Sequence, residues 1–177
     1  MEKSLNKNTV WLLQRTLAVL ITVISAVALP QLFHAFGVFA GVGGKFGQMF
    51  LPMYLPVLIL ALKTNVASGV IAGLISPLIS YLISGMPEAV MLPVIAIELG
   101  CFGLFGGLIS KKKINVFAKI IIVQVLSKIV RIIATVILSC FMDNIAISVA
   151  LVFSTTLLAL PGYIIQLLAV PYFVNKK

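Results

Sequence analysis

The chain has 177 residues, 62% of them hydrophobic and 10% charged, with a mean hydropathy of +1.22 and a formal net charge of +9. A soluble domain is about half apolar and about a quarter charged, so this composition excludes a soluble fold and points to an integral membrane protein. Most of the basic residues sit in short segments between apolar runs, so they report topology and not nucleic-acid binding. The apolar runs are continuous and lack a period of two, which favours helices over a barrel. At roughly 20 residues per crossing, the reading is one all-α transmembrane domain over residues 1–177 with six transmembrane helices.

A polar leader, Met1 to Asn8, carries no signal-peptide cleavage pattern, so the first apolar run is expected to be a retained helix. That helix is expected from about Val10 to His34. Ala18, Thr22 and Ala26 recur every four residues and form a small-residue stripe, which suits close helix packing in lipid, either inside the protein or against another one. Residues 37–48 form a loop with five glycines and Lys45. Phe39 occupies the first glycine position of a phosphate-binding loop and Phe46 its Ser/Thr position, so that motif fails. The dinucleotide pattern fails as well, because Phe46 replaces its third glycine.

The chain is organised around Phe50-Leu51-Pro52-Met53-Tyr54-Leu55-Pro56-Val57, too apolar for a soluble surface and too rich in proline for an ordinary buried helix. The second helix, Met49 to Leu62, is short enough to be re-entrant, or a tilted crossing with Lys63 reaching the interface. Val66 to Ser84 is a third helix with a Gly69/Gly73 small pair, serines at 76, 80 and 84, and Pro77 as a kink. After the tight connection at residues 85–88 come a fourth helix, Met91 to Ile109, and a fifth, Asn115 to Met142. A turn at Asp143-Asn144 leads to a sixth, Ile145 to Val174, broken at Pro161-Gly162. Cys101 and Cys140 both lie in apolar segments and are read as packing residues.

A cytoplasmic N-terminus places Lys3, Lys7, Arg15, Lys63, Lys111, Lys112, Lys113, Lys119, Lys176 and Lys177 inside. The other side keeps only Lys45, Glu88 and Asp143. The positive-inside rule therefore favours six spans with the N- and C-termini cytoplasmic.

Charges within a span are costly and call for a partner or a function. Glu98 lies about 10 Å from the outer end of its helix, at about 1.5 Å per residue. Arg131 and Lys128 lie at overlapping depth on the fifth helix, and Gln124 extends their face. One reading is a structural Glu98–Arg131 pair. The other is a site in which two cations meet one carboxylate and a polar or anionic ligand completes the balance. Gln166 also needs a partner within the sixth helix, and His34, Tyr54, Tyr81, Asn144 and Tyr163 are weaker candidates for the wall of such a site. Neither metal-ligand spacing nor a hydrolase motif is present, so no cofactor and no catalytic residue are expected.

These features together (short helices with both ends inside, a small-x-x-x-small first helix, a Gly-rich loop, Leu51-Pro52-Met53-Tyr54-Leu55-Pro56-Val57-Leu58, then Ile75-Ser76-Pro77-Leu78-Ile79-Ser80 and Gly85-Met86-Pro87) resemble the substrate-binding S components of energy-coupling-factor vitamin transporters. The resemblance runs from about Arg15 to Phe173. It implies a bacterial plasma-membrane protein that captures a small water-soluble vitamin from outside, with a loop between the first two helices covering the site. It also implies docking on a membrane coupling protein, the T component, driven by two ATP-binding subunits. The family's docking motif would map onto Ala18, Thr22 and Ala26, with Thr22 as a departure from it. The charge balance suggests a carboxylate or phosphate-like ligand, such as pantothenate or a vitamin B6 form. The rival readings are a stand-alone channel or carrier with a Glu98-Lys128-Arg131 relay, and a structural membrane protein.

Overall fold

A computed structural model of the chain describes residues 7–41, 49–142 and 155–175. The main elements are α1 (Lys7–Phe39), α2 (Tyr54–Lys63), α3 (Val66–Ser84), α4 (Leu92–Ser110), α5 (Val116–Met142) and α6 (Leu160–Asn175), and the described residues include no strand. Four of them, α1, α3, α4 and α5, are long and apolar enough to cross a membrane, whereas α2 and α6 are apolar but shorter.

Several boundaries differ from the sequence reading for identifiable reasons. Residues 49–50 are helical, but the chain then turns at 51–53 with Leu51 in the left-handed region (φ 46°), and α2 starts only at Tyr54. Pro56 falls in the first turn of α2, where its missing N–H would have no intrahelical partner. Pro30, Pro77 and Pro171 are accommodated inside α1, α3 and α6. Residues 155–158 are helical, the chain turns at Ala159 and α6 starts at Leu160, so the predicted break falls immediately before Pro161-Gly162. The predicted turn at residues 143–144 and the first part of the predicted sixth helix lie outside the described residues.

The shortest helix is the most central. Val57, Leu58 and Ala61 of α2 are completely buried, and α2 packs against α1, α3, α4 and α6. Around it, Ala26, Leu99, Phe102, Ile120, Val123 and Val170 close the main core. The outward faces carry exposed apolar side chains such as Leu17, Ile21 and Ile24 on α1 and Ile121, Val125 and Ile129 on α5. Such a surface suits hydrocarbon rather than water. Thr22 and Ala26 are buried and Ala18 packs beside Val23 and Val27, so the small-residue stripe of α1 serves an internal seam toward α2 and α3. A docking role for Ala18, Thr22 and Ala26 would require α1 to leave that seam.

Glycine sets the distance between α3 and α4. A Cβ on Gly69 would lie 2.7 Å from the Gly103 carbonyl oxygen, one on Gly103 would overlap the Gly69 backbone, and one on Gly73 would overlap the Leu99 carbonyl. Gly107 meets Val66 in the same way, and Gly106 meets Ala61 of α2. Small residues allow this approach where packing must replace the hydrophobic effect.

The Gly107–Val66 contact also puts the end of α4 beside the start of α3. At that end of the bundle lie Arg15, Lys63 and the Lys111–Lys113 run, with Lys119 bonded back to the Ser110 carbonyl at 2.6 Å. At the opposite end Gln31 of α1 donates to Ser84 of α3 at 2.7 Å.

The seam makes a graded prediction. Gly103→Ala sets a methyl against backbone and is expected to cost about 1–3 kcal/mol or more. A Cβ at Gly100 meets only the movable Leu74 side chain, 2.9 Å away, so Gly100→Ala should remain near wild type. Thermal unfolding of the two variants in one detergent checks the order.

Candidate functional site

The polar residues that an apolar bundle should exclude are gathered on its inner faces. On α5, Gln124, Ser127, Arg131 and Thr135 are buried while Ile121, Val125, Ile129 and Ile132 are exposed, so this helix turns its polar stripe inward. Spacings of three and four residues keep Gln124, Lys128, Arg131 and Thr135 on one side. On α4, the glycine face that lies against α2 and α3 carries Glu98 into the interior with it, and Glu98 is 0% exposed.

Glu98 is the centre of the cluster. Its Oε2 accepts hydrogen bonds from the Tyr54 hydroxyl at 2.5 Å and from Arg131 Nη1 at 2.8 Å. Its Oε1 lies 2.5 Å from Lys128 Nζ. That contact is an ion pair whose angles are not those of a hydrogen bond, so both atoms retain bonding capacity. The turn at 51–53 delivers Tyr54, whose ring is also met edge-on by Phe102 with centroids 5.0 Å apart. Lys128 Nζ lies 5.8 Å from the Tyr54 ring centre and 5.4 Å from that of Tyr163, within reach of the ring quadrupoles. Arg131 Nη2 reaches Thr155 Oγ1 at 3.4 Å, and one turn along α5 Gln124 donates to Gln166 at 3.0 Å.

Among the described residues, two cations and one carboxylate leave a single net positive charge between apolar helices. Several donors around it, Arg131 Nε, Gln166 Nε2 and the Tyr163 hydroxyl, have no hydrogen-bond partner among the described residues. Burying such groups unpaired is unfavourable, and each one calls for an explanation. Glu98 already accepts from two donors and pairs with a third, so it is suited to holding cations in place. The open capacity of the cluster is mainly hydrogen-bond donation and positive charge, which suits recognition of an anionic or carbonyl-rich group.

The structure thus brings together Glu98, Lys128, Arg131, Tyr54 and Tyr163, with the Gln124–Gln166 pair one turn away. It places His34 and Tyr81, both half-buried, toward the other end of the bundle, one turn from the Gln31–Ser84 bond. Asn144 lies outside the described residues. Thr155 was not anticipated, since a threonine in an apolar run has no spacing that marks it. Ser127 was also missed, although it lies one residue before Lys128 and is fully buried.

A scan against protein-family models, a search of curated proteins and a search of solved structures each found no match to this chain.

The charge count makes predictions of opposite sign. Glu98→Gln leaves both cations buried without a carboxylate and should destabilise by about 3–5 kcal/mol. Lys128→Met removes the surplus cation and leaves the Glu98–Arg131 pair intact, so its stability should equal or exceed wild type. Tyr54→Phe should fall between them, at about 1–3 kcal/mol for a lost bond to a charged group. Denaturation of the purified variants at constant detergent concentration measures all three.

Proposed function

We propose that this chain is the substrate-capture subunit, an S component, of an energy-coupled vitamin importer in the bacterial plasma membrane. In this reading it crosses the membrane six times with both termini cytoplasmic, α2 and α6 serving as short or tilted crossings. The clustering of Arg15, Lys63 and Lys111–Lys113 at one end of the bundle supports that orientation. The observation that carries the functional reading is the buried Glu98–Lys128–Arg131 cluster, with its surplus positive charge and its unpartnered donors. Intramembrane ionisable groups of this kind mark ligand or ion pathways.

The ligand is a small water-soluble vitamin or related micronutrient carrying a carboxylate or phosphate-like group, such as pantothenate or a vitamin B6 form. Lys128 and Arg131 supply the charge, Tyr163 and Gln166 the directional donors, and Glu98 with Tyr54 holds the cations in position. The chain itself has no phosphate-binding loop, since Phe39 and Phe46 stand where that motif needs other residues. Energy for transport therefore comes from partners, a T component and two ATP-binding subunits.

Native mass spectrometry of gently purified protein should find one bound species of small-molecule mass, and thermal shift against a vitamin panel should identify it. Lys128→Met is the informative variant, because it should lose the ligand while keeping or gaining stability. An empty protein that ignores the panel would remove the capture reading in favour of a structural cluster. Uptake by the protein alone in liposomes would favour a channel or carrier. Undiminished affinity in Lys128→Met would remove the charge argument.

A further inference from the structure

Away from the buried cluster, α1 and the start of α3 enclose a groove of about 390 Å³, lined by Trp11, Leu12, Arg15, Asn65, Ser68 and Ile71 among others. We propose that this groove is a binding site for an anionic phospholipid, with the lipid phosphate on Arg15 and its acyl chains along the apolar wall. The site stands independently of the vitamin-capture reading.

Arg15 carries the first part of the case. Its guanidinium carbon lies 3.7 Å from the centre of the Trp11 ring. Stacking of this kind uses the face of the guanidinium and leaves its N–H edge free, and that planar fork is the geometry that binds phosphate oxygens in pairs. Arg15 has no ion pair or hydrogen bond among the described residues, and it is half-buried. The indole therefore packs against a cation that itself lines the groove.

The surroundings identify the occupant. Asn65 caps α3 by accepting from the Ser68 N–H at 2.9 Å, so the groove wall includes the N-terminal turn of a 19-residue helix, the end that favours negative charge. Leu12 and Ile71, both exposed, continue the wall with apolar surface. One cation above an apolar trough matches a phosphate joined to acyl chains, whereas free phosphate would have no use for the trough. Lys63 and the Lys111–Lys113 run lie at the same end of the bundle, and the described residues there include no carboxylate. Basic residues near a membrane surface each add about 1 kcal/mol of attraction to anionic lipid.

Purified full-length chain in detergent would be titrated with phosphatidylglycerol and, separately, with phosphatidylcholine of the same acyl chains, and followed by native mass spectrometry. Wild type should retain phosphatidylglycerol at activation energies that strip phosphatidylcholine. Arg15→Gln should weaken the phosphatidylglycerol adduct about five- to tenfold. Trp11→Leu keeps the apolar wall and removes only the stacking platform, so it should weaken the adduct by a smaller factor and provides the test if Arg15→Gln does not fold. Equal retention of the two lipids would overturn the proposal, as would an unchanged adduct in folded variants. So would inorganic phosphate alone displacing the lipid at low millimolar concentration, which would make this a free-phosphate site.

Discussion

Placing a carboxylate in an apolar bundle is the constraint on which the rest of this structure depends. An isolated ionised carboxylate in such surroundings is strongly disfavoured, and only close, multiple partners make it tolerable. Glu98 receives a phenol, a guanidinium and an ammonium from two other helices. Each of those partners has its own structural requirement. Tyr54 needs the strained turn at 51–53, Arg131 and Lys128 need an α5 that turns its polar side inward, and Glu98 needs an α4 that can approach α2 and α3 closely. The glycines at 69, 73, 103, 106 and 107 provide that approach.

The cluster is over-supplied with positive charge, which distinguishes it from a simple interhelical tie. A Glu–Arg pair alone would hold α4 to α5 and be electrically complete. The added ammonium on Lys128, poised near two tyrosine rings, raises the local charge without adding a helix to the contact. A surplus of this kind weakens the resting fold slightly and strengthens attraction for an anion.

The bundle is also polarised along its length. Its basic end carries the Arg15–Trp11 groove, and the buried cluster lies deeper, roughly six residues into α4 from the other end, or about 9 Å. The two sites offer cations in different settings. At Arg15 the cation lies at the margin beside exposed leucine and isoleucine. At Lys128 and Arg131 the charge is enclosed, where a low dielectric strengthens every interaction it makes.

Much of this was legible in the residues. Composition alone points to a membrane environment, and the continuous apolar runs with their polar connections mark α3, α4 and α5 to within a residue or two at each end. The spacing of Gln124, Lys128 and Arg131 puts them on one face of any helix, and the cost of a buried charge singles out Glu98 as their partner. What the sequence could not decide is which faces meet. The Ala18–Thr22–Ala26 stripe suits an internal or an external seam equally, and only packing turned it inward. Tyr54 became a direct ligand of Glu98 because the chain breaks at Leu51, a backbone choice that local propensity does not encode. The Thr155–Arg131 contact and the Arg15 groove likewise depend on contacts between residues far apart in the chain. Periodicity determines what a helix can bury, and only tertiary packing decides what lies across from it.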